Sequence, residues 1–129
     1  MKYFKIVLLV FSLTLFSCQG QESSKVKLVD AKTFSEKIES NKKEIQLIDV
    51  RTPEEFNEQH IGEAKNINWN GTDFEEKISK LDKSEPVYIY CKSGGRTAKA
   101  ASKLSEMGFT EIYELDGGIG SWNKADLPK

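Results

Sequence analysis

The sequence predicts an α/β fold in which a mainly parallel sheet is covered by helices on both faces. Three observations predict it. Short β-rich segments alternate with helix-patterned ones from residue 27 onward, and such alternation builds parallel sheets through right-handed crossovers. Residues 45–50 (IQLIDV) carry the nearly continuous hydrophobicity of a strand covered on both sides. A Cys, a Gly pair and an Arg join a strand to a helix at residues 90–97, the kind of strand end where open α/β sheets hold ligands. A chain of 129 residues, 38% of them hydrophobic, suffices for one such core and not comfortably for two.

The elements follow in order. Residues 27–29 form a short strand. Asp30 caps a helix to about residue 40, with Phe34 and Ile38 on one face four residues apart. The strand at 45–50 leads to Thr52, Pro53, Glu54 and Glu55, a strong helix start: Thr52 caps, Pro53 takes the first helical position and Glu55 completes a capping box. Residues 64–67 make another short strand. Phe74, Ile78 and Leu81 recur at helical spacing over 73–81. Pro86 precedes a strand at 87–90, and a helix over 97–107 is closed by Gly108. The last strand, 112–115, runs into a turn at Asp116, Gly117 and Gly118.

The N-terminus reads differently. Lys2 and Lys5 precede an apolar run over residues 6–16 interrupted only by Ser12 and Thr14, about half the ~20 residues a membrane span needs. Its length and flanks fit a secretory signal peptide. Leu15, Phe16, Ser17 and Cys18 resemble a bacterial lipobox, with Phe16 bulkier than usual at its position. This predicts a signal peptide over 1–17, a lipidated Cys18 with a polar tether over 18–26, and a domain over 27–129. The chain would be exported and held to the cell envelope by Cys18, facing the periplasm. A formal net charge of −1 and the lack of long basic runs argue against a nucleic-acid partner. Cysteine usage then becomes informative. The chain has two cysteines, and acylation of Cys18 leaves Cys91 without an intrachain partner. A lone thiol in an oxidising compartment is a liability unless it has a task.

The residues around Cys91 suggest the task. A strand delivers Cys91 to its C-terminal tip. Lys92, Ser93, Gly94 and Gly95 follow, and Arg96 and Thr97 open the next helix. The glycines let successive backbone N–H groups curl inward, and the helix adds its positive end. Both lower the pKa of a thiol at the centre and favour the thiolate. The same donors suit a negatively charged adduct on that sulfur. No His/Cys cluster suggests a metal, and the reading requires no cofactor.

Residues 91–96 resemble the active-site loop of the rhodanese family. Residues 49–56 (DVRTPEEF) and 60–67 (HIGEAKNI) are similar to two of its earlier motifs, and residues 115–118 (LDGG) with Trp122 to its C-terminal one. The second motif departs from the family by placing Gly62 before Glu63. The resemblance implies a roughly five-stranded parallel sheet and transfer of a sulfane sulfur through a persulfide on Cys91. A donor such as thiosulfate would load it, and cyanide, a thiol or a protein acceptor would unload it. It makes residues 92–97 the binding loop and places Asp49 and Arg51 on the same side as a structural ion pair. Rhodanese-fold phosphatases and arsenate reductases resemble a longer loop, with five residues between Cys and Arg. The four residues here make a ring better matched to one sulfur atom. A persulfide carrier or an interaction module without thiosulfate turnover is the alternative within the family.

Several single residues remain open at this level. Arg96 can bind an anionic donor or close the loop by pairing with a carboxylate. Lys92 can attract thiosulfate or be a solvated lysine. His60 reads as a structural hydrogen-bonding residue, since a preformed thiolate requires no base. Trp69 and Trp122 read as core or lid residues, and Phe34, Phe74 and Phe109 as core.

Overall fold

The computed structural model describes residues 25–41 and 43–129; the signal peptide expected over 1–17, Cys18 and most of the expected tether over 18–26 lie outside them. Five strands and five helices alternate: β1 Val26–Val29, α1 Ala31–Ser40, β2 Gln46–Asp49, α2 Pro53–Glu58, β3 Lys65–Asn66, α3 Phe74–Ser79, β4 Val87–Tyr90, α4 Gly95–Glu106, β5 Ile112–Leu115 and α5 Gly118–Lys124. The strands form one sheet in the order β1-β5-β4-β2-β3, and every pairing is parallel. The fold is α/β with a five-stranded parallel sheet, as the alternation predicts. The first strand begins at Val26, one residue ahead of the boundary expected from the sequence.

The side-chain alternation of the strands divides the core in two. Val87, Ile89 and Cys91 face Phe74 and Ile78 of α3 and Ala100, Ala101 and Leu104 of α4. Tyr88, Tyr90, Tyr113 and Leu115 face Phe34 of α1 and Ile119 and Trp122 of α5. β4 is central and buried along its length, so its C-terminal residue leaves the sheet from the best-supported position in the molecule.

Local chemistry explains most element ends. The Asp30 side chain accepts from the Thr33 amide at 2.7 Å and starts α1. Thr52 caps α2 by accepting from the Glu55 amide at 3.3 Å. The Glu55 carboxylate accepts from the Thr52 hydroxyl at 3.2 Å and reaches on to Arg96. Gly62 adopts φ +46° and opens a tight turn in which the Ala64 amide bonds Ile61 O at 3.1 Å. The order of Gly62 and Glu63 therefore suits this turn. The largest difference from the sequence reading is α5. Asp116, Gly117 and Gly118 read as a turn, yet a helix begins at Gly118 and runs to Lys124, because Ile119 and Trp122 bury themselves against α1 and the sheet.

Candidate active site

Cys91 follows β4 directly, with 1% of its surface exposed. Gly94 takes φ +117°, a conformation that L side chains rarely adopt. It turns the chain so that its own amide lies 3.0 Å from Cys91 Sγ. The Thr97 hydroxyl lies 3.6 Å from the same sulfur and donates to Gly94 O at 2.8 Å. Burial pushes the Cys91 thiol up, but hydrogen bonds from Thr97 and from the Gly94 and Ser93 amides outweigh it, and the thiol lies below its ordinary value. Gly95 differs from the expectation. It is the first residue of α4, has no positive φ, and a Cβ on it would meet nothing within 4 Å. The curl of the loop rests on Gly94 alone.

The start of α5 aims these amides. Ile119 N donates to Cys91 O at 2.9 Å and Gly120 N to Lys92 O at 3.2 Å. In a trans peptide the C=O and the following N–H point in opposite directions. Holding both carbonyls toward α5 therefore turns the Lys92 and Ser93 amides away from it, and the Ser93 amide helps to hold the Cys91 thiol below its ordinary value. The approach leaves no room for a side chain: a Cβ on Gly118, which has φ +59°, would stand 2.4 Å from Cys91 O. Sequence reasoning missed this brace. The only signal was the Gly pair, which reads equally as a turn.

Arg96 spans to α2. Its Nη1 and Nη2 donate to the two Glu55 carboxylate oxygens at 2.7 and 3.0 Å, a bidentate geometry. The guanidinium pulls the Glu55 carboxyl down to about 2. Of the two roles open to Arg96, the structure shows loop closure. Glu55 itself was missed as a site residue because the capping pattern already accounted for it. Lys92 and Ser93 are exposed on the outer side of the loop.

Asp49 and Arg51 sit one strand away. Asp49 is fully buried and Arg51 5% exposed. Arg51 Nη2 donates to Asp49 Oδ2 and to Gln59 O, both at 2.6 Å, and Tyr90 OH accepts from Ile61 N at 3.0 Å. This network pins the 59–61 segment to the sheet. The network ends on Gln59 and Ile61 and supports the fold around the site. His60 stacks on Phe56 with ring centroids 4.0 Å apart, and its Nδ1 meets Phe56 O at 3.0 Å. Trp122 is core, and Trp69 packs half-buried edge-on to Phe74. Among the described residues, no group of three or more His, Cys, Asp or Glu is placed to hold a metal ion, and no helix is long and apolar enough to cross a membrane.

Two cavities of about 330 and 340 Å³ lie elsewhere, one by Gln46, Lys80 and Asp82, the other between Trp69 and Lys103. Neither is lined by Cys91 or its loop.

Comparison with known proteins agrees with this arrangement. The model of the Rhodanese-like domain family matches residues 30–125. YqhL of Bacillus subtilis is 38% identical over 67% of this chain and 68% of its own. The thiosulfate sulfurtransferase GlpE of Shewanella oneidensis is 34% identical over 65% of this chain and 81% of its own. A crystal structure of a rhodanese-like domain protein from Staphylococcus aureus superposes with a TM-score of 0.66 at 29% identity, covering 74% of this chain and 90% of that one.

Proposed function

This chain belongs to the Rhodanese-like domain family, and we propose that it is a sulfurtransferase that carries a sulfane sulfur on Cys91. The observation that carries the reading is the convergence of the loop amides on Sγ, with the Gly94 amide at 3.0 Å. In the first step the thiolate attacks the outer sulfur of a donor such as thiosulfate. A new S–S bond forms, the donor's S–S bond breaks, and sulfite leaves with the electron pair. The persulfide's terminal sulfur carries the negative charge, and the amides of the loop stabilise it as an oxyanion hole does. In the second step cyanide or a thiol attacks that terminal sulfur and the Cys91 thiolate departs.

The test is thiocyanate formation by the purified chain from thiosulfate and cyanide, together with intact mass after thiosulfate alone. Turnover and a gain of one sulfur atom support the reading. A wild-type chain that gains no sulfur from thiosulfate or from a small persulfide overturns it.

One observation favours a second reading, a carrier loaded by another protein's persulfide. Glu55 neutralises Arg96, which leaves Lys92 as the unpaired basic side chain of residues 91–97 for attracting a dianion. Sulfur loading without thiosulfate turnover would select the carrier.

We further propose export and lipidation at Cys18, on the pattern of residues 1–18. Intact mass of the protein from membranes tests it. An unlipidated chain wholly in the soluble fraction overturns it.

A further inference from the structure

The helix α5 braces the sulfur loop, so whatever fixes α5 also bears on the sulfur. Its first turn takes Cys91 O and Lys92 O on the Ile119 and Gly120 amides at 2.9 and 3.2 Å. The approach is close enough that a Cβ on Gly118 would stand 2.4 Å from Cys91 O, and a small movement of α5 therefore moves the loop. Most of the hold on α5 is apolar. Ile119 and Trp122 are buried in one core with Phe34 of α1, and the Trp122 ring stands edge-on to Phe34 at 6.3 Å. Apolar burial is non-directional. It keeps this seven-residue helix on the protein but opposes small rotations of it weakly.

Hydrogen bonds are directional and oppose such rotations. Among the described residues, most side-chain hydrogen bonds of α5 are local. Ser121 Oγ donates to Asp116 O and Gly118 O, and Trp122 Nε1 donates to Pro128 O. Asn123 is the exception. Gln59 Nε2 donates to Asn123 Oδ1 at 2.7 Å, and Asn123 Nδ2 donates back to Gln59 Oε1 at 3.3 Å, across 64 residues of sequence. A contact made at two points fixes orientation as well as distance.

Gln59 is suited to be the fixed side of this pair. It caps α2, with its amide bonded to Glu55 O at 3.3 Å, and its carbonyl accepts from Arg51 Nη2 at 2.6 Å. Two residues on, the Ile61 amide donates to Tyr90 OH. One turn earlier, Glu55 holds Arg96 at the start of α4. Residues 55–59 thus reach both helices whose first turns bear on the Cys91 loop, Glu55 reaching α4 and Gln59 reaching α5.

We propose that Gln59 and Asn123 are positioning residues: their amide pair fixes where α5 stands, and α5 in turn sets how the loop amides meet Cys91 Sγ. The pair acts at a distance, through the carbonyls of Cys91 and Lys92. The proposal deepens the reading of Cys91 as the sulfur carrier and rests on it.

The position of the pair separates this role from a structural one. Asn123 is exposed and Gln59 half-buried. Hydrogen bonds open to water are exchanged for bonds to water at little net cost in stability. Losing the pair should therefore leave the melting temperature nearly unchanged while altering the thiol. The direction follows from what acts on the sulfur. Burial pushes the Cys91 thiol up, and hydrogen bonds from Thr97 and from the Gly94 and Ser93 amides outweigh it. Loosening the loop amides weakens the opposing side, and the thiol rises.

The test is the rate of iodoacetamide alkylation against pH in the full chain, resolved at Cys91 by peptide mass spectrometry. Asn123→Ala moves the midpoint up by about half a pH unit and slows alkylation roughly threefold below it, with the melting temperature within a few degrees of wild type. Gln59→Asn, one methylene too short to close the pair, gives the same shift. Gln59→Asn combined with Asn123→Gln restores the summed reach, and the midpoint returns to that of the wild type. None of these substitutions changes a charge, and Arg96 keeps its partner Glu55 in each. An Asn123→Ala midpoint equal to the wild type overturns the proposal, and so does a shift that the exchanged pair leaves in place. Alkylation involves no sulfur donor, so failure here and failure to load sulfur on Cys91 are read separately.

Discussion

Two strand ends lie side by side in the sheet and use their polar groups in opposite ways. At the end of β2, Asp49 and Arg51 meet within 2.6–3.0 Å, and Arg51 gives a further bond to Gln59 O. The donors and acceptors there end on fixed partners. At the end of β4, the Gly94 amide and the Thr97 hydroxyl meet one sulfur at 3.0 and 3.6 Å, a thiol held below its ordinary value and so able to change its charge. Burial of charged and polar groups is common to both ends and so says little about chemistry. What separates them is whether the donors end on an acceptor that stays the same.

The predictions test that contrast, from the largest effect to the smallest. Cys91→Ser removes the changeable acceptor. Sulfur transfer should fall by about a thousandfold or more, the scale expected when a nucleophile is lost, while the melting temperature stays within a few degrees of wild type. Residual turnover near wild type would take Cys91 out of the mechanism. Asp49→Ala breaks the fixed pair and leaves Arg51 buried and unpaired, which costs about 3–5 kcal/mol. Denaturant unfolding should register that loss, while turnover per folded molecule changes little. If activity falls and stability does not, the two strand ends are not distinct in kind.

Gly118→Ala should disturb the sulfur site from behind. Its Cβ would collide with Cys91 O at 2.4 Å, and displacing the loop by even 1 Å can cost about a hundredfold in rate. Gly95→Ala is the matched control, in open space at the start of a helix. It should be neutral or stabilising by up to about 1 kcal/mol. Steady-state kinetics and thermal melts on the pair decide whether α5 or the second loop glycine aims the amides.

Glu55→Gln gives the smallest effect and a pH signature. Its carboxyl is pulled down to about 2 by Arg96, so the folded value is depressed. The stabilisation is present above the ordinary carboxylate value of about 4.5 and is lost as pH falls from there toward 2. The pair is partly exposed, so about 1 kcal/mol or less is at stake. Thermal melts should show wild type and variant converging across that acid window. At neutral pH, freeing Arg96 should lower the KM for thiosulfate severalfold with little gain in kcat. An unchanged KM would favour the carrier reading.

Much of the fold and the centre of the site were legible in the sequence because their signals are local. The strand, Cys91, the glycines and Arg96 lie within a few residues, and each limits the backbone in a recognisable way. The remainder depends on contacts distant in sequence. Glu55 closes on Arg96 across 41 residues, and its local task as a capping residue concealed that. The helix α5 was hidden because glycines that permit a close approach have the same composition as glycines that permit a turn. Only the packing of Ile119 and Trp122 distinguishes them. Gly94 and Gly95 look alike as letters, yet one bears the left-handed turn and the other is an ordinary helical residue.

An all-parallel sheet has two poles, and this one assigns them separate duties. The chain enters β1 at Val26, where Lys25 O accepts from Ile112 N and Ile112 lies level with Val87 at the start of β4. Cys91 leaves β4 at the far end, four residues and roughly 13 Å along the strand direction. Lys25 therefore stands at the pole opposite the sulfur. The fold puts the start of the described chain and its reactive cysteine at opposite ends of the sheet.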